Sequence, residues 1–277
     1  MIALVLMILN TVCFAEGAPA AGSESDEALA EQVNDPTARL TQFQIKDIYT
    51  PAEYGTDAEL NTVQIRPVFA IRRFWIIPFD QILRPTIKVV TVPKGKGTAT
   101  STGYDDMQLL DLFISPWPNS EETGFRWGVG PYWVFPTSNI DFSGRGAWQV
   151  GPAMGFAYEV YGLKISGLLQ QATSFAYTSK HSTPVTSLTF QPIVTYQLGS
   201  GWYLKSSDAT WTFNLRHNSS TTIPLSAGFG KVWELARGLS IDTSGSGEWM
   251  VYRQFAGQTE QFSLNFQLTV LMPRLQL

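Results

Sequence analysis

Two segments of the chain alternate between apolar and polar residues with a period of two. In residues 187–198 the even positions are apolar and, apart from Ile193, the odd positions are polar. In residues 262–270 the even positions are again apolar, and Ser, Asn, Gln and Thr lie between them. A period of two places successive side chains on opposite faces of a β-strand. Both segments therefore indicate strands with an apolar environment on one face and a polar one on the other.

The same alternation recurs along the chain after residue 40, where no long stretch has a helical period. We predict an all-β fold of about twelve strands, each near the ten residues that a tilted membrane-spanning strand needs. The predicted strands are Thr41–Tyr49, Asn61–Arg73, Ile82–Val92, Asp106–Ser115, Phe125–Phe135, Trp148–Val160, Leu163–Ser174, Thr186–Leu198, Trp202–Leu215, Thr222–Trp233, Leu239–Arg253 and Thr259–Leu271. An even number of alternating strands is typical of a closed antiparallel transmembrane β-barrel.

Six prolines fall inside these predicted strands. Proline cannot donate to the hydrogen-bond ladder, and a closed barrel has no edge strand on which to place it. We therefore expect β-bulges at Pro67, Pro85, Pro131, Pro152, Pro192 and Pro224.

The first residues of the chain are typical of an export signal. Residues 1–15 are apolar apart from Asn10 and Thr11, too few to span a bilayer as a helix but suited to a signal peptide. We predict cleavage after Ala15, or as late as Ala20; the alternative is a disordered or core-docked N-terminus. Cys13 is the single cysteine, so the exported chain would have no disulfide and no thiol chemistry.

Residues 16–40 form a polar, acidic lead before the barrel, which we assign to 41–277. Six of the 23 acidic residues precede the first basic residue, Arg39, so the rest of the chain is nearly neutral with 17 acids against 19 bases. We expect a periplasmic segment with a short helix near Asp26–Val33, ended by Pro36. There is no basic face of the kind that binds nucleic acid.

Charged residues on the predicted strands are the candidate functional residues. A charge facing lipid at mid-bilayer costs about 2–4 kcal/mol, so these side chains should face the lumen. We predict that the pore-lining or binding residues are Lys46, Arg66, Arg84, Lys88, Asp111, Arg126, Glu159 and Gln191. The alternative is that such charges pair and simply fill a narrow barrel. Arg66, Arg84 and Lys88 should lie close together on two neighbouring strands and repel one another. We expect the Asp111 carboxylate on the next strand to pair with Arg84.

The chain resembles a known family in several motifs. These include Ile65-Arg-Pro-Val, Leu83-Arg-Pro-Thr, Gly128-Val-Gly-Pro-Tyr-Trp-Val-Phe-Pro-Thr and Gly228-Phe-Gly-Lys-Val. They are similar to the outer-membrane barrel family named after the phenol-degradation MetA pathway, whose relatives are labelled transporters or neuromedin U. The resemblance implies a channel or transporter in the outer membrane of a Gram-negative bacterium. Its partners would be outer-membrane lipids, the barrel assembly machinery and an unidentified small solute, hydrophobic or aromatic as the family's name suggests.

Other function classes have weaker support. The two histidines and one cysteine show no metal-ligand spacing, and we expect no cofactor and no metal site. His217 and Ser219 are two residues apart, as in outer-membrane phospholipase, but no other part of that enzyme's pattern is visible, and we expect no enzymatic activity. Besides a channel, a closed structural or binding barrel that the acidic lead plugs stays open as an alternative.

Overall fold

The computed structural model describes residues 26–54, 59–73, 75–93, 100–115, 124–140, 144–178, 184–206, 209–216, 220–236, 238–254, 259–273 and 275. Within these residues there is one helix, α1 (Asp26–Gln32). The β-segments are β1 (Thr41–Glu53), β2 (Leu60–Ile71), β3 (Asp80–Pro93), β4 (Thr100–Tyr104), β5 (Met107–Ile114), β6 (Gly124–Phe135), β7 (Ala147–Val160), β8 (Leu163–Tyr177), β9 (Thr186–Gly199), β10 (Trp202–Ser206), β11 (Trp211–Asn214), β12 (Thr221–Ala236), β13 (Leu239–Arg253) and β14 (Glu260–Met272). Among the described residues, no helix has the length and apolar character needed to cross a membrane.

The fourteen β-segments form one antiparallel sheet that closes on itself. Strands that follow one another in the chain pair with one another, and β1 pairs with β14 to close the ring. Segments β4 and β5 both pair with β3, so together they form one strand of the barrel. Likewise, β10 and β11 both pair with β9 and β12 and together form another strand. The described residues therefore form a closed barrel of twelve strands, and the predicted fold class is confirmed.

The alternation in the sequence decides which side chains face outward. In β14, Asn265 and Gln267 are 2% and 9% exposed, whereas Phe266 between them is 60% exposed. Strand β7 follows the same rule, with apolar residues outside and polar or small residues inside. Strands β6 and β9 also alternate, but Tyr132, Val134 and Ile193 are inward apolar residues among the polar and small ones. Many large aromatic side chains are exposed on the outer face, which is the surface that a membrane barrel presents to lipid.

One end of the barrel has the tightest connections. Between β7 and β8 the chain turns over two residues, Tyr161 and Gly162, with φ of 49° and 74°. The link between β9 and β10 has Ser200 and Gly201 with φ of 53° and 76°. Positive φ at both central residues defines the type I′ turn that joins antiparallel strands most directly. Short turns mark the periplasmic end of an outer-membrane barrel. β1 begins at this same end, where the longer links from β2 to β3 and from β5 to β6 also lie.

Around five of the six prolines the strands keep their register, without the β-bulge expected from the sequence, and some of these prolines leave a gap in the hydrogen-bond ladder. Between β2 and β3 the partners run from Ile65 with Ile87 to Phe69 with Leu83, and the pairs between them, which include Pro67, are missing although the register is unchanged. Pro131 lies directly opposite Pro152 in an unbroken register. A missing N–H removes one bond toward one neighbour, and the paired residues on both sides keep the strands in place. A register shift occurs at Pro224 alone among the six prolines.

Candidate functional site: the barrel lumen

Seven of the eight predicted pore-lining residues lie on the inner face of the barrel. Each alternates with outward residues on its strand, and Lys46 and Arg126 are buried at 8% and 7% exposure. Arg66 lines both of the lumenal cavities described below. The seven are Lys46, Arg66, Arg84, Lys88, Arg126, Glu159 and Gln191.

The prediction for Asp111 is wrong. Leu110 and Leu112, on either side of it, point into the barrel and are 2% and 0% exposed, so Asp111 points outward. The register agrees, because Asp111 is opposite Leu83, whereas Arg84 is opposite Leu110. Asp111 and Arg84 are therefore on opposite faces of the barrel wall and do not pair.

The N-terminal segment occupies the lumen. We call residues 26–40 the N-terminal plug. Its apolar side chains, Leu29, Ala30, Val33, Ala38 and Leu40, are at most 4% exposed and pack in one cluster with Tyr203, Val232 and Leu271 of the barrel. The plug also lies close to the opposite wall, since a Cβ on Gly155 would lie 3.1 Å from Thr37 and 3.2 Å from Leu112. Residues 26–40 therefore form part of the barrel's core.

A buried ion-pair network holds the plug to the wall. The Asp35 carboxylate, whose side chain is 0% exposed, pairs with Arg126 on β6 at 2.5 Å and with Lys164 on β8 at 3.4 Å. Lys164 also pairs with Glu159 at 3.2 Å, and its Nζ donates to the Glu31 carbonyl at 2.9 Å. These contacts satisfy two buried cations and one buried anion, which would each be costly alone.

The turn around Asp35 is fixed by its own hydrogen bonds. The Thr37 amide and hydroxyl both donate to Asp35 Oδ1 at 2.7 Å, and Arg126 Nε donates to the Thr37 hydroxyl at 2.9 Å. Burial raises the pKa of the Asp35 carboxyl, but the charges of Arg126 and Lys164 and the bonds from Thr37 outweigh it and leave the pKa below its ordinary value of 3.8. Asp35 is therefore ionised at neutral pH.

A second polar contact joins β10 to β13 beneath the plug. The Tyr203 hydroxyl donates to Asp242 Oδ1 at 2.6 Å, and both residues are 0% exposed. Tyr203 also packs against the plug, in one buried cluster with Leu29, Val33 and Leu40. The plug is thus held on one side by ion pairs, and on the other side it packs against Tyr203, whose hydroxyl is bonded to Asp242.

Outward of the plug the lumen widens into a cavity of about 540 Å³, which we call the vestibule. Cationic and anionic side chains both line it, and Lys88 is 3.8 Å from the Asp105 carboxylate. Most of the other lining groups are polar or small, and the lining residues come from most of the strands. The charged ones are Lys46, Glu53, Arg66, Lys88, Asp105, Glu248 and Glu260.

The floor of the vestibule leads to a smaller cavity of about 50 Å³ against the plug. Arg66 and Gln191 line both cavities, so the two spaces meet at these side chains. Arg84 lines the smaller one together with plug residues from Val33 to Ala38. The arrangement is a polar chamber that narrows to two arginines and ends on the plug.

The predicted set did not include several lumenal residues. Asp35, Lys205 and Asp242 are at most 5% exposed, and Tyr203 is fully buried. For Asp35 a signal did exist, because six acids precede the first base while the basic residues of the strands face the lumen. The sequence contained no comparable indication for Tyr203 and Asp242, because nothing distinguishes them from the other single polar residues on alternating strands.

Some predictions fall outside the described residues. The predicted signal peptide lies within residues 1–25, which are not described. The same holds for His217 and Ser219, the two residues of the lipid-hydrolase alternative. Within the described part of the chain there is no group of three or more His, Cys, Asp or Glu side chains placed to hold a metal ion.

Comparison with known proteins bears on the fold. No protein-family model and no curated protein matches the sequence. Among solved structures, the COG4313 outer membrane channel from Pseudomonas putida F1 aligns with a TM-score of 0.59 and 14% identity, over 84% of this chain and 95% of that chain. The outer membrane phospholipase of Salmonella typhi aligns with a TM-score of 0.38 and 14% identity, over 91% and 98% of the two chains. The first similarity shows that this chain has the fold of an outer-membrane β-barrel, and the second is too weak to carry an argument.

Proposed function

We propose that this protein is a channel for small solutes in the outer membrane of a Gram-negative bacterium. The observation that carries the proposal is the vestibule, a polar chamber of about 540 Å³ within the barrel. A barrel that served only as a scaffold would gain stability by filling this space with side chains. The fold similarity to an outer membrane channel is consistent with this proposal.

The plug sets the resting state of the proposed channel. Residues 33–38 line the inner end of the lumen, and the buried contacts of Asp35 hold them there. The resting pore is therefore narrow, and passage of a solute requires the plug to shift. These same contacts support the alternative function, a closed structural or binding barrel in which the plug never leaves.

The family and the solute belong to this proposal as well. The motifs around Arg66 and Arg84 support membership of the MetA-pathway barrel family, whose name points to hydrophobic or aromatic solutes. The apolar outer face would contact outer-membrane lipids, and the barrel assembly machinery would insert the chain. The proposal involves no catalytic step.

Single-channel recording in planar lipid bilayers tests the proposal. The full-length protein should give small, discrete conductance steps, and a variant lacking residues 26–38 should give steps several-fold larger because the lumen is no longer blocked. A silent wild type with a conducting deletion variant would support the closed barrel. If neither protein conducts after correct insertion, which heat-modifiable mobility on a gel can verify, the channel proposal fails.

A further inference from the structure

Arg84 differs from the other inward cations whose ion pairs are described above. Arg126 and Lys164 pair with Asp35, and Lys88 pairs with Asp105. Arg84 forms no ion pair or hydrogen bond with the described part of the chain, and its Nε is buried without a hydrogen-bond partner. A guanidinium is always charged in a protein, and a buried charge is costly unless an anion offsets it.

Arg66 is close to Arg84 on the neighbouring strand. The register on both sides of the gap, Ile65 with Ile87 and Phe69 with Leu83, places Arg66 diagonally across from Arg84 on the same inner face. Arg66 Nη2 donates to the Gln64 side chain at 2.8 Å, which orients its guanidinium. Two like charges at this spacing repel each other unless an anion lies between or beside them.

The smaller cavity brings these cations together with neutral hydrogen-bonding groups. Its lining includes amide side chains that can donate to an oxygen atom, and apolar side chains such as Val68, Ile82 and Leu110. Asp35 also lines it, but the charge of this carboxylate is already offset by Arg126 and Lys164. A planar guanidinium fits a carboxylate with two parallel hydrogen bonds. The amide side chains in this lining are Gln42, Gln44, Gln191 and Gln267.

We infer that Arg84, with Arg66 beside it, forms a binding site for the carboxylate of a small organic anion at the floor of the vestibule. The carboxylate occupies the smaller cavity, and the body of the solute extends past Arg66 and Gln191 into the vestibule. Along the vestibule walls Lys46 and Lys88 are offset by four carboxylates, so the attraction for anions is strongest at the floor. These carboxylates are Glu53, Asp105, Glu248 and Glu260. This inference rests on the proposed function, because it names the class of solute that the channel would take.

Calorimetry with benzoate as the probe tests the site without requiring transport. Benzoate should bind the full-length protein in detergent, while benzamide, which has the same ring without the charge, should bind at least about tenfold more weakly, as the loss of a charge-assisted hydrogen bond predicts. Arg84→Gln should weaken benzoate binding by a similar factor, and Arg84→Lys by less. Lys231→Gln is the matched control, since Lys231 lies against Trp202 and Trp233 on the outer face and its loss should leave binding within about twofold.

Two further measurements separate the possible outcomes. Chloride at high concentration should compete weakly; if chloride displaces benzoate as well as another carboxylate does, the site binds anions in general and the assignment to carboxylates is overturned. Thermal unfolding of Arg84→Gln should occur at the wild-type temperature or higher, because a lone buried charge has been removed. A large fall in unfolding temperature, or unchanged benzoate affinity, would show that Arg84 has a structural role and would overturn the inference. Arginine-dependent binding by a protein that never conducts would instead keep the site and reject the channel.

Discussion

Asp35 and Arg126 are 91 residues apart in the chain, and their side chains form a buried ion pair inside the barrel. This pair joins the N-terminal plug to β6, and a second pair of Asp35, with Lys164, joins the plug to β8. The pair with Arg126 fixes the segment before the first strand inside the lumen, and the Asp35 side chain in this pair is 0% exposed to solvent. The barrel wall does not depend on it, because each strand is hydrogen-bonded to its neighbours throughout the ring.

We therefore expect Asp35→Asn to release the plug while the barrel stays folded. The change leaves Arg126 buried without its counter-charge, which costs about 3–5 kcal/mol for a buried pair. Hydrogen exchange of residues 26–40 should become much faster, and bilayer conductance should rise. Asp80→Asn is the control, because Asp80 also pairs with the plug, but through Arg39, whose side chain is 49% exposed, and such a pair contributes about 1 kcal/mol or less. Equal effects of the two substitutions would contradict the role given to Asp35.

Low pH should release the plug, as the Asp35→Asn substitution does. The pKa of Asp35 is lower in the folded protein than its ordinary value of 3.8, so its ionisation stabilises the plugged state above that value, and this stabilisation is lost as the pH falls through the lowered pKa. The plug should remain protected at all pH values above about 4 and exchange quickly only below. The Asp35→Asn variant should show no such transition. Release of the wild-type plug between pH 5 and 7 would mean that another group controls it.

The sequence was informative about the barrel because its alternation has a physical cause. Along β9 and β14 one face meets lipid and the other meets a polar lumen, so the period of two assigns Phe190, Val194, Phe266 and Leu268 to the outside. The phase was misjudged on β5, where Leu110 and Leu112 face inward and Leu109 and Phe113 outward. When both faces of a strand are apolar, the sequence does not show which residues face inward. The direction of the Asp111 side chain could therefore not be deduced from its own segment.

The alternation of the sequence could not predict the contacts of the plug. Periodicity describes neighbours within a strand, whereas Asp35 meets Arg126 and Lys164 only because the closed ring brings β6 and β8 to the same side of the lumen. The excess of acids before the first base indicated that the segment needs cations, but not which ones. The pairing follows from the diameter and the closure of the barrel, which single residues do not encode.

Tyr203→Phe should destabilise the protein by about 1–3 kcal/mol, the cost of leaving a buried polar group without one of its hydrogen bonds. The hydroxyl lost in this variant donates to Asp242 at 2.6 Å, and neither residue is exposed to solvent. Thermal unfolding in detergent measures the effect. Tyr196→Phe is the matched control, because Tyr196 is 48% exposed on the outer face and its loss should change stability by less than about 0.5 kcal/mol. A neutral result for Tyr203→Phe would show that Asp242 is satisfied by other groups.

Asp111→Leu should stabilise the barrel. Asp111 faces outward and its Oδ1 is buried without a hydrogen-bond partner, so the carboxyl is removed from water and gains nothing in return. Replacing it with leucine should raise the free energy of unfolding by about 1–2 kcal/mol and leave the reversal potential in a salt gradient unchanged. Asp105→Asn is the contrasting variant, because Asp105 lines the vestibule beside Lys88, and its loss should shift the reversal potential toward anion selectivity. If Asp111→Leu instead lowered stability by several kcal/mol and shifted the reversal potential, Asp111 would face the lumen and the register of β5 would be wrong.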